Sequence, residues 1–314
     1  MPDIVAIGEC MIELFSDEPI GQASTFNKSY AGDTNNVLHM ASRLGISCGY
    51  ITRVAEDPFG DYLLGAWQAN SIDASASMRV PGFTAVHFIT LLEDGEREFA
   101  FYRKGSAAST MVPEDLDSEY IGESRILHVS GIIQAVSPSC RSTVLQAVQI
   151  CKERGVLVSY DTNLRPSMWS AREARDALEE VLPYIDIVFT SYPEETSAVL
   201  GVQSEEAAVG FFRDLGVDTV AVTSGKNGAI VADSKTVLKA NAIAPNGVSD
   251  TTGAGDAFVG GFLHCLVQDM GIVSGLRWGI ASAGLKVAGR GGIASQPCRT
   301  SVERVIEDVE VIGV

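Results

Sequence analysis

The sequence predicts an α/β fold: a mostly parallel central sheet with helices on both faces, plus a small β-sheet lid. Three observations predict it. Short apolar β-rich runs alternate with helical patterns, several helix starts carry their own capping signals, and the stretch 76–103 breaks the alternation with consecutive strands. The 314 residues are read as one domain over 1–314, with a discontinuous β lid from about 9–30 and 76–105.

Taken in order, Ile4–Ile7 reads as a strand, 35–44 as a helix, 48–54 as a strand and 58–69 as a helix. Asp57 then Pro58 marks the start of that last helix, because an N-cap acceptor precedes a residue whose missing N–H costs nothing in a first turn. Between Ala76 and Arg103, the runs 86–92 and 99–102 are rich in β-formers, with a turn expected at Glu93-Asp94-Gly95-Glu96. With residues near 9–30 they compose a small sheet standing off the main one, which serves either as a lid over a ligand or as a plain covering hairpin. The alternation then resumes, with strands at 126–129, 156–160, 185–190 and 219–223 and helices at 138–153, 171–182 and 205–215. Ser137-Pro138 and the capping box Ser170-x-x-Glu173 set two of those helix starts.

Composition excludes several functions. A net charge of -17 disfavours a polyanionic partner, since neutralising phosphates needs clustered Lys and Arg, so nucleic acid is not expected. No apolar run reaches the roughly 18 residues of a membrane span, and the first strand is too short for a signal peptide; a cytoplasmic protein with no membrane partner is expected. Cys10, Cys48, Cys140, Cys151, Cys265 and Cys298 show no paired spacing and no metal spacing to the histidines. All six are read as small buried apolar residues.

The chemistry is concentrated in Ser249-Asp250-Thr251-Thr252-Gly253-Ala254-Gly255-Asp256, which runs into the apolar helical stretch 257–263. N–H groups at a helix start have no partner within the helix, and glycines let an anion approach them, so the turn is a ready phosphate cradle. Asp256 in that first turn is favoured as a carboxylate and can take a proton from a hydroxyl beside the anion. The same spacing is equally that of a helix-start carboxylate behind a tight glycine turn. A Walker A loop is absent, which removes P-loop kinases. Gly289-Arg290-Gly291-Gly292-Ile293-Ala294 fits a dinucleotide pattern, yet it follows a helical pattern and no strand-turn-helix unit accompanies it.

Asp250 to Phe258 resembles the D-T-x-G-A-G-D-x-F signature of the ribokinase-like (PfkB-type) carbohydrate kinases, and the likeness covers essentially the whole chain. The segments Gly8 to Leu14, Gly32-Asp33-Thr34-Asn35-Asn36, Phe99 to Arg103 and Asp161 to Trp169 resemble the 2-keto-3-deoxygluconate kinase branch. The resemblance implies Asp256 as catalytic base, Gly253, Ala254 and Gly255 as anion hole, and ATP with Mg2+ as phosphoryl donor. It implies a sugar acid phosphorylated to 2-keto-3-deoxy-6-phosphogluconate, with Gly32, Asp33, Asn36, His87, Tyr102, Arg103 and Arg165 as substrate contacts. An arginine fork suits a carboxylate through two parallel charge-assisted bonds, which fits Arg165 and Arg103, and Tyr102 offers an apolar wall with a polar tip.

The implied ATP contacts are Thr223, Gly225 and Gly228, in a loop between two strands, with Thr252, Gly253 and Gly255. Glu195, within Ser191-Tyr192-Pro193-Glu194-Glu195, keeps an acidic family position and implies an indirect Mg2+ contact, while Tyr192 stands where relatives have Asn. His87 replaces a Tyr of similar sugar-acid kinases, and contact with substrate and filling of the lid are both open to it. Asp250 and Thr252 with the Gly291-Gly292 turn form a candidate site for a monovalent cation such as K+. Exposed β-edges in the lid point to a homodimer or larger homo-oligomer.

A fructokinase-like enzyme is the nearest rival; Gly32-Asp33-Thr34 and Arg165-Pro166 stand against the Gly-Ala-Pro and Arg-Leu-Pro typical of it. A noncatalytic sugar or nucleotide sensor on the same fold predicts loss of the base, whereas Asp256 and its glycines are intact. A dehydrogenase needs a glycine fingerprint after the first strand, and Gly8-Glu9-Cys10-Met11 has none.

Overall fold

The computed structural model describes residues 1–91 and 97–314, and the turn expected at 93–96 lies outside them. Among the described residues, ten strands form the main sheet. From one edge their order is Val311–Gly313, Val237–Ala240, Ala229–Ala232, Thr219–Thr223, Ile187–Ser191, Leu157–Asp161, Ile126–Ser130, Ile4–Ile7, Cys48–Ile51 and Ile72–Asp73. Pairing is parallel from Ile72–Asp73 through Thr219–Thr223 and antiparallel beyond. Strands covered on both faces need unbroken apolar runs, and all four residues of Ile4–Ile7 are buried. The three antiparallel strands escape a sequence reading because runs of three or four residues are too short to show a period.

Helices cover both faces. Leu38, Trp67, Phe258, Phe262 and Leu276 build the core on one side, and Val144, Leu178 and Phe212 the core on the other. The expected caps hold: Asp57 Oδ1 accepts from the Gly60 N–H at 2.6 Å, Ser137 Oγ from Cys140 at 3.1 Å, and Ser170 and Glu173 exchange both capping-box bonds.

Two expectations are corrected. The strand expected at 48–54 is two strands: the Thr52 carbonyl accepts from the Met78 N–H at 3.0 Å, and Arg53–Ala55 then leaves the main sheet to pair with Met78–Val80. Cys298 is exposed, with its Sγ 3.2 and 3.3 Å from the hydroxyls of Thr300 and Ser301, whereas the other five cysteines are buried.

A separate four-stranded sheet has the order Asn27–Ala31, Met11–Ser16, Val86–Leu91, Arg97–Tyr102. Its register sets Glu13 opposite His87 and His87 opposite Phe101, which puts those three side chains on one face and Tyr102 on the other. No helix among the described residues is long and apolar enough to cross a membrane.

Candidate active site

Open α/β sheets bind ligands beyond the carboxyl ends of their strands, where the strand order reverses. That reversal falls between Ile4–Ile7 and Ile126–Ser130. Beyond it lies a cleft of about 470 Å³, walled by Gly32, Asp33 and Arg165 on the main-sheet side and by Phe101, Arg103 and Lys104 on the lid side.

The cradle helix, Ala254–Val267, carries Asp256 in its first turn, within electrostatic reach of Asp33 and Arg165 on the cleft wall. Gly253 caps it in the left-handed region at φ 73°, which an L side chain rarely adopts. The helix lies flush on its neighbour because a Cβ at Gly260 would stand 2.5 Å from Met40 Cβ. At the opposite end of the turn, a Cβ at Gly255 would meet nothing within 4 Å, so the helix start faces open space. The Ala254 N–H is taken by the Thr251 carbonyl at 3.1 Å, which leaves Gly253 and Gly255 as the members of the expected trio available to an anion.

Asp256 sits in the first turn, part-buried, and its Oδ2 accepts from Asn36 Nδ2 at 2.7 Å. Burial pushes its carboxyl up to about 7; the Asn36 hydrogen bond and the charges of Arg165 and Lys286 pull against that rise, and the charge of Asp33 adds to it. A carboxyl that changes charge near neutrality is suited to accepting a proton. Asp161, at the end of its strand, is also raised well above the usual carboxylate range by burial, with Glu195, Asp256 and Asp33 adding to the effect.

Asp33 opens the helix Asp33–Arg43 and is fixed from two strand ends: Ser130 Oγ donates to its Oδ2, and Asn163 Nδ2 lies 3.3 Å away. Gly32, just before it, has no room for a side chain, because a Cβ would fall 2.2 Å from the Glu9 carbonyl oxygen. Glu195 is buried and raised by that burial; its Oε2 sits among the hydroxyls of Thr162 and Thr190 and the Ser191 N–H, while Oε1 is 4.0 Å from Arg165 Nη1. The Tyr192 hydroxyl donates instead to the Gln203 carbonyl at 2.8 Å.

The two expected arginines, on opposite walls of the cleft, differ. Arg103 forms an ion pair with the buried Glu9, whose other oxygen accepts from Ser106 Oγ at 3.0 Å. Its charge is therefore matched within the protein. Arg165 leaves 51% of its side chain exposed. Tyr102 does not wall the cleft: it lies edge-on to Phe88 at 5.9 Å on the opposite face of the lid, and Phe101 takes the wall position. His87 fills the lid, with its ring stacked on Phe101 at 5.5 Å and Nε2 3.2 Å from Glu13 Oε2. Further along the strand ends, the Thr223–Gly228 loop turns at Gly225 and Gly228, with φ of 52° and 95°. A Cβ at Gly228 would stand 1.9 Å from the Ala240 carbonyl oxygen. Sequence reasoning assigned no role to Glu9, Phe101, Asp161 or Lys286; the signal of the three charged residues is burial beside opposite or like charge, and that of Phe101 is its facing in the strand, neither of which the sequence pattern carries.

Sheet, lid and cleft together define the ribokinase-like class of α/β proteins. The profile described as pfkB family carbohydrate kinase matches residues 1–299. The 2-dehydro-3-deoxygluconokinase of Thermoproteus tenax is 32% identical over 314 residues, 98% of this chain and 95% of that relative. Fructokinase-1 of Zea mays is 31% identical over 320 residues, 97% of each chain. Among solved structures, an Escherichia coli candidate for ribokinase II in complex with ATP and Mg2+ aligns with a TM-score of 0.90 at 27% identity, covering 98% of this chain and 100% of that one. The chain belongs to the pfkB family of carbohydrate kinases.

Proposed function

We propose that this protein transfers the γ-phosphoryl group of ATP to the terminal hydroxyl of 2-keto-3-deoxygluconate, giving 2-keto-3-deoxy-6-phosphogluconate. The observation that carries the reading is that Asp256 and Arg165 share one site, with the charge of the guanidinium acting on the carboxyl. A carboxyl near neutrality stands at a helix start close enough to a half-exposed guanidinium for that charge to lower its pKa. Phosphoryl transfer to an alcohol needs the first group, and recognition of an acid needs the second. With Arg103 neutralised by Glu9, the cations left to meet a substrate carboxylate are Arg165 and Lys104.

In this reading Asp256 takes the proton of the hydroxyl as the phosphoryl group arrives, and the N–H groups at Gly253 and Gly255 receive the developing negative charge. Asn36 keeps Asp256 oriented, Asp33 and Gly32 hold substrate hydroxyls, and Phe101 closes the cleft to water. ATP and Mg2+, when bound, supply the transferable group and a counter-charge across its oxygens. Among the described residues no three Asp, Glu, His or Cys side chains converge on a metal, and Mg2+ commonly keeps water and substrate phosphates as most of its ligands. Glu195 Oε1 suits such a water-mediated contact. The ATP and Mg2+ held by the Escherichia coli relative support this choice of donor.

The test is a coupled ADP-release assay with Mg-ATP and 2-keto-3-deoxygluconate, 2-keto-3-deoxygalactonate, fructose, ribose and gluconate. Turnover confined to the keto-deoxy acids is the expected result. Turnover on fructose instead would keep the kinase and overturn the acid substrate.

A further inference from the structure

The helix Gly271–Lys286 ends on a lysine that is fully buried, although a lone ammonium is among the most costly groups to take out of water. Its Nζ donates to the Asp250 carbonyl at 2.9 Å. Asp250 is tied down on every side: its N–H and that of Ser249 both donate to the Val287 carbonyl, at 3.1 and 2.7 Å. Its carboxylate accepts from the Thr252 and Gly291 N–H groups, each at 2.9 Å. Three residues later the chain makes the left-handed turn at Gly253, where a Cβ would already lie 3.2 Å from Gly292 Cα. The ammonium therefore stands under the cradle, at the carbonyl-rich end of a helix, a setting that favours a cation.

We propose that Lys286 is a built-in cation for the phosphate cradle: its ammonium holds the Asp250 carbonyl, and through it the Gly253 turn, and so takes the place of a bound alkali-metal ion. Lys286 is a positioning residue, since it acts through Asp250 and does not touch the transferred group. The proposal rests on the phosphoryl-transfer reading of the Gly253 turn and Asp256. Among the described residues, the cations that bear most on Asp256 are Lys286 from this helix and Arg165 from beyond the strand Leu157–Asp161; facing them are Asp33 and Asn36 from the helix Asp33–Arg43, and Asp161.

The experiment compares the full-length protein in KCl, NaCl and tetramethylammonium chloride at equal ionic strength, reading kcat/KM and the melting temperature without ligands. Wild type is expected to be indifferent to the cation in both. Lys286→Met is expected to lose about tenfold to a hundredfold in kcat/KM in tetramethylammonium chloride. KCl should restore much of that loss and raise the variant's melting temperature, and the acid limb of its pH profile should lie higher than in wild type. Severalfold activation of wild type by K+ would overturn the proposal, and that result stands even if the variant fails to fold. So would a Lys286→Met protein whose activity and melting temperature ignore the cation. Asp256→Asn separates the two ideas: turnover by that variant would remove the base reading, whereas the salt series on wild type decides Lys286 by its melting temperature alone.

Discussion

The turn at Gly253 and the lid strand Arg97–Tyr102 border the same region, but they are held in different ways. At the turn, every anchor ends on a backbone group: the Ala254 N–H donates to the Thr251 carbonyl, the Asp250 N–H to the Val287 carbonyl, and the Asp250 carbonyl accepts from the Lys286 ammonium. The lid is held by side chains from distant parts of the chain, Glu9 with Arg103 just beyond its last strand and Glu13 with His87 between two of its own strands, while Phe99, Phe101 and Tyr102 stay between 45% and 64% exposed. The contrast teaches where each task resides. Backbone anchoring tolerates little change and suits the step common to the family, whereas side-chain pairs can be exchanged singly and suit the choice of substrate.

If the cradle carries the chemistry, the largest effect belongs to Asp256. Asp256→Asn is expected to lower kcat about a thousandfold with little change in sugar binding, measured by initial rates and calorimetry. Near-normal turnover would erase the contrast. If the cleft between main sheet and lid chooses the substrate, Arg165→Ala on its main-sheet wall should raise KM for the sugar acid about tenfold to a hundredfold and leave KM for ATP alone, because a charge-assisted bond is lost from one ligand only. Equal losses for both would move Arg165 out of recognition. Glu9→Gln should act more mildly, as a severalfold rise in sugar KM and a lower melting temperature, since the amide accepts from Ser106 but leaves Arg103 without its counter-charge.

The same division explains what could be read in advance. The cradle is contiguous in the chain, so Asp250 to Phe258 announced both the turn and its carboxylate, and the strand–helix rhythm announced the main sheet. Two of the lid's strands were legible as β-rich runs and the other two only as a segment near 9–30, and the facing of none was legible. A shift of one residue in a pleated strand exchanges Phe101 for Tyr102 at the wall, and nothing local in Phe99-Ala100-Phe101-Tyr102-Arg103 fixes which. Arg103 looked like a free guanidinium because its partner, Glu9, lies 94 positions away in the chain and is brought to it by the fold alone. Lys286 was invisible for a similar reason, since a terminal lysine in an exposed helix and a buried one donating to a distant backbone carbonyl read alike in sequence.

The smallest effect tests the electrostatic strain in the cradle without any substrate. The Asp256 carboxyl is raised from an ordinary value near 3.8 to about 7, so the folded protein binds that proton more tightly than the unfolded chain does. The stability tied to this proton is complete below the unfolded pKa and is lost as pH rises through about 7. At pH 8 the native state must therefore hold a charge that its surroundings disfavour. Asp256→Asn keeps the shape, keeps an acceptor for Asn36 and removes the charge. It should melt at a higher temperature than wild type at pH 8, with the difference shrinking on acidification and gone below the ordinary carboxyl range. A pH-independent difference would trace the effect to packing. No difference would mean that the charges of Lys286 and Arg165 already neutralise the carboxylate, and the acid limb expected near pH 7 in kcat/KM would then move down with it.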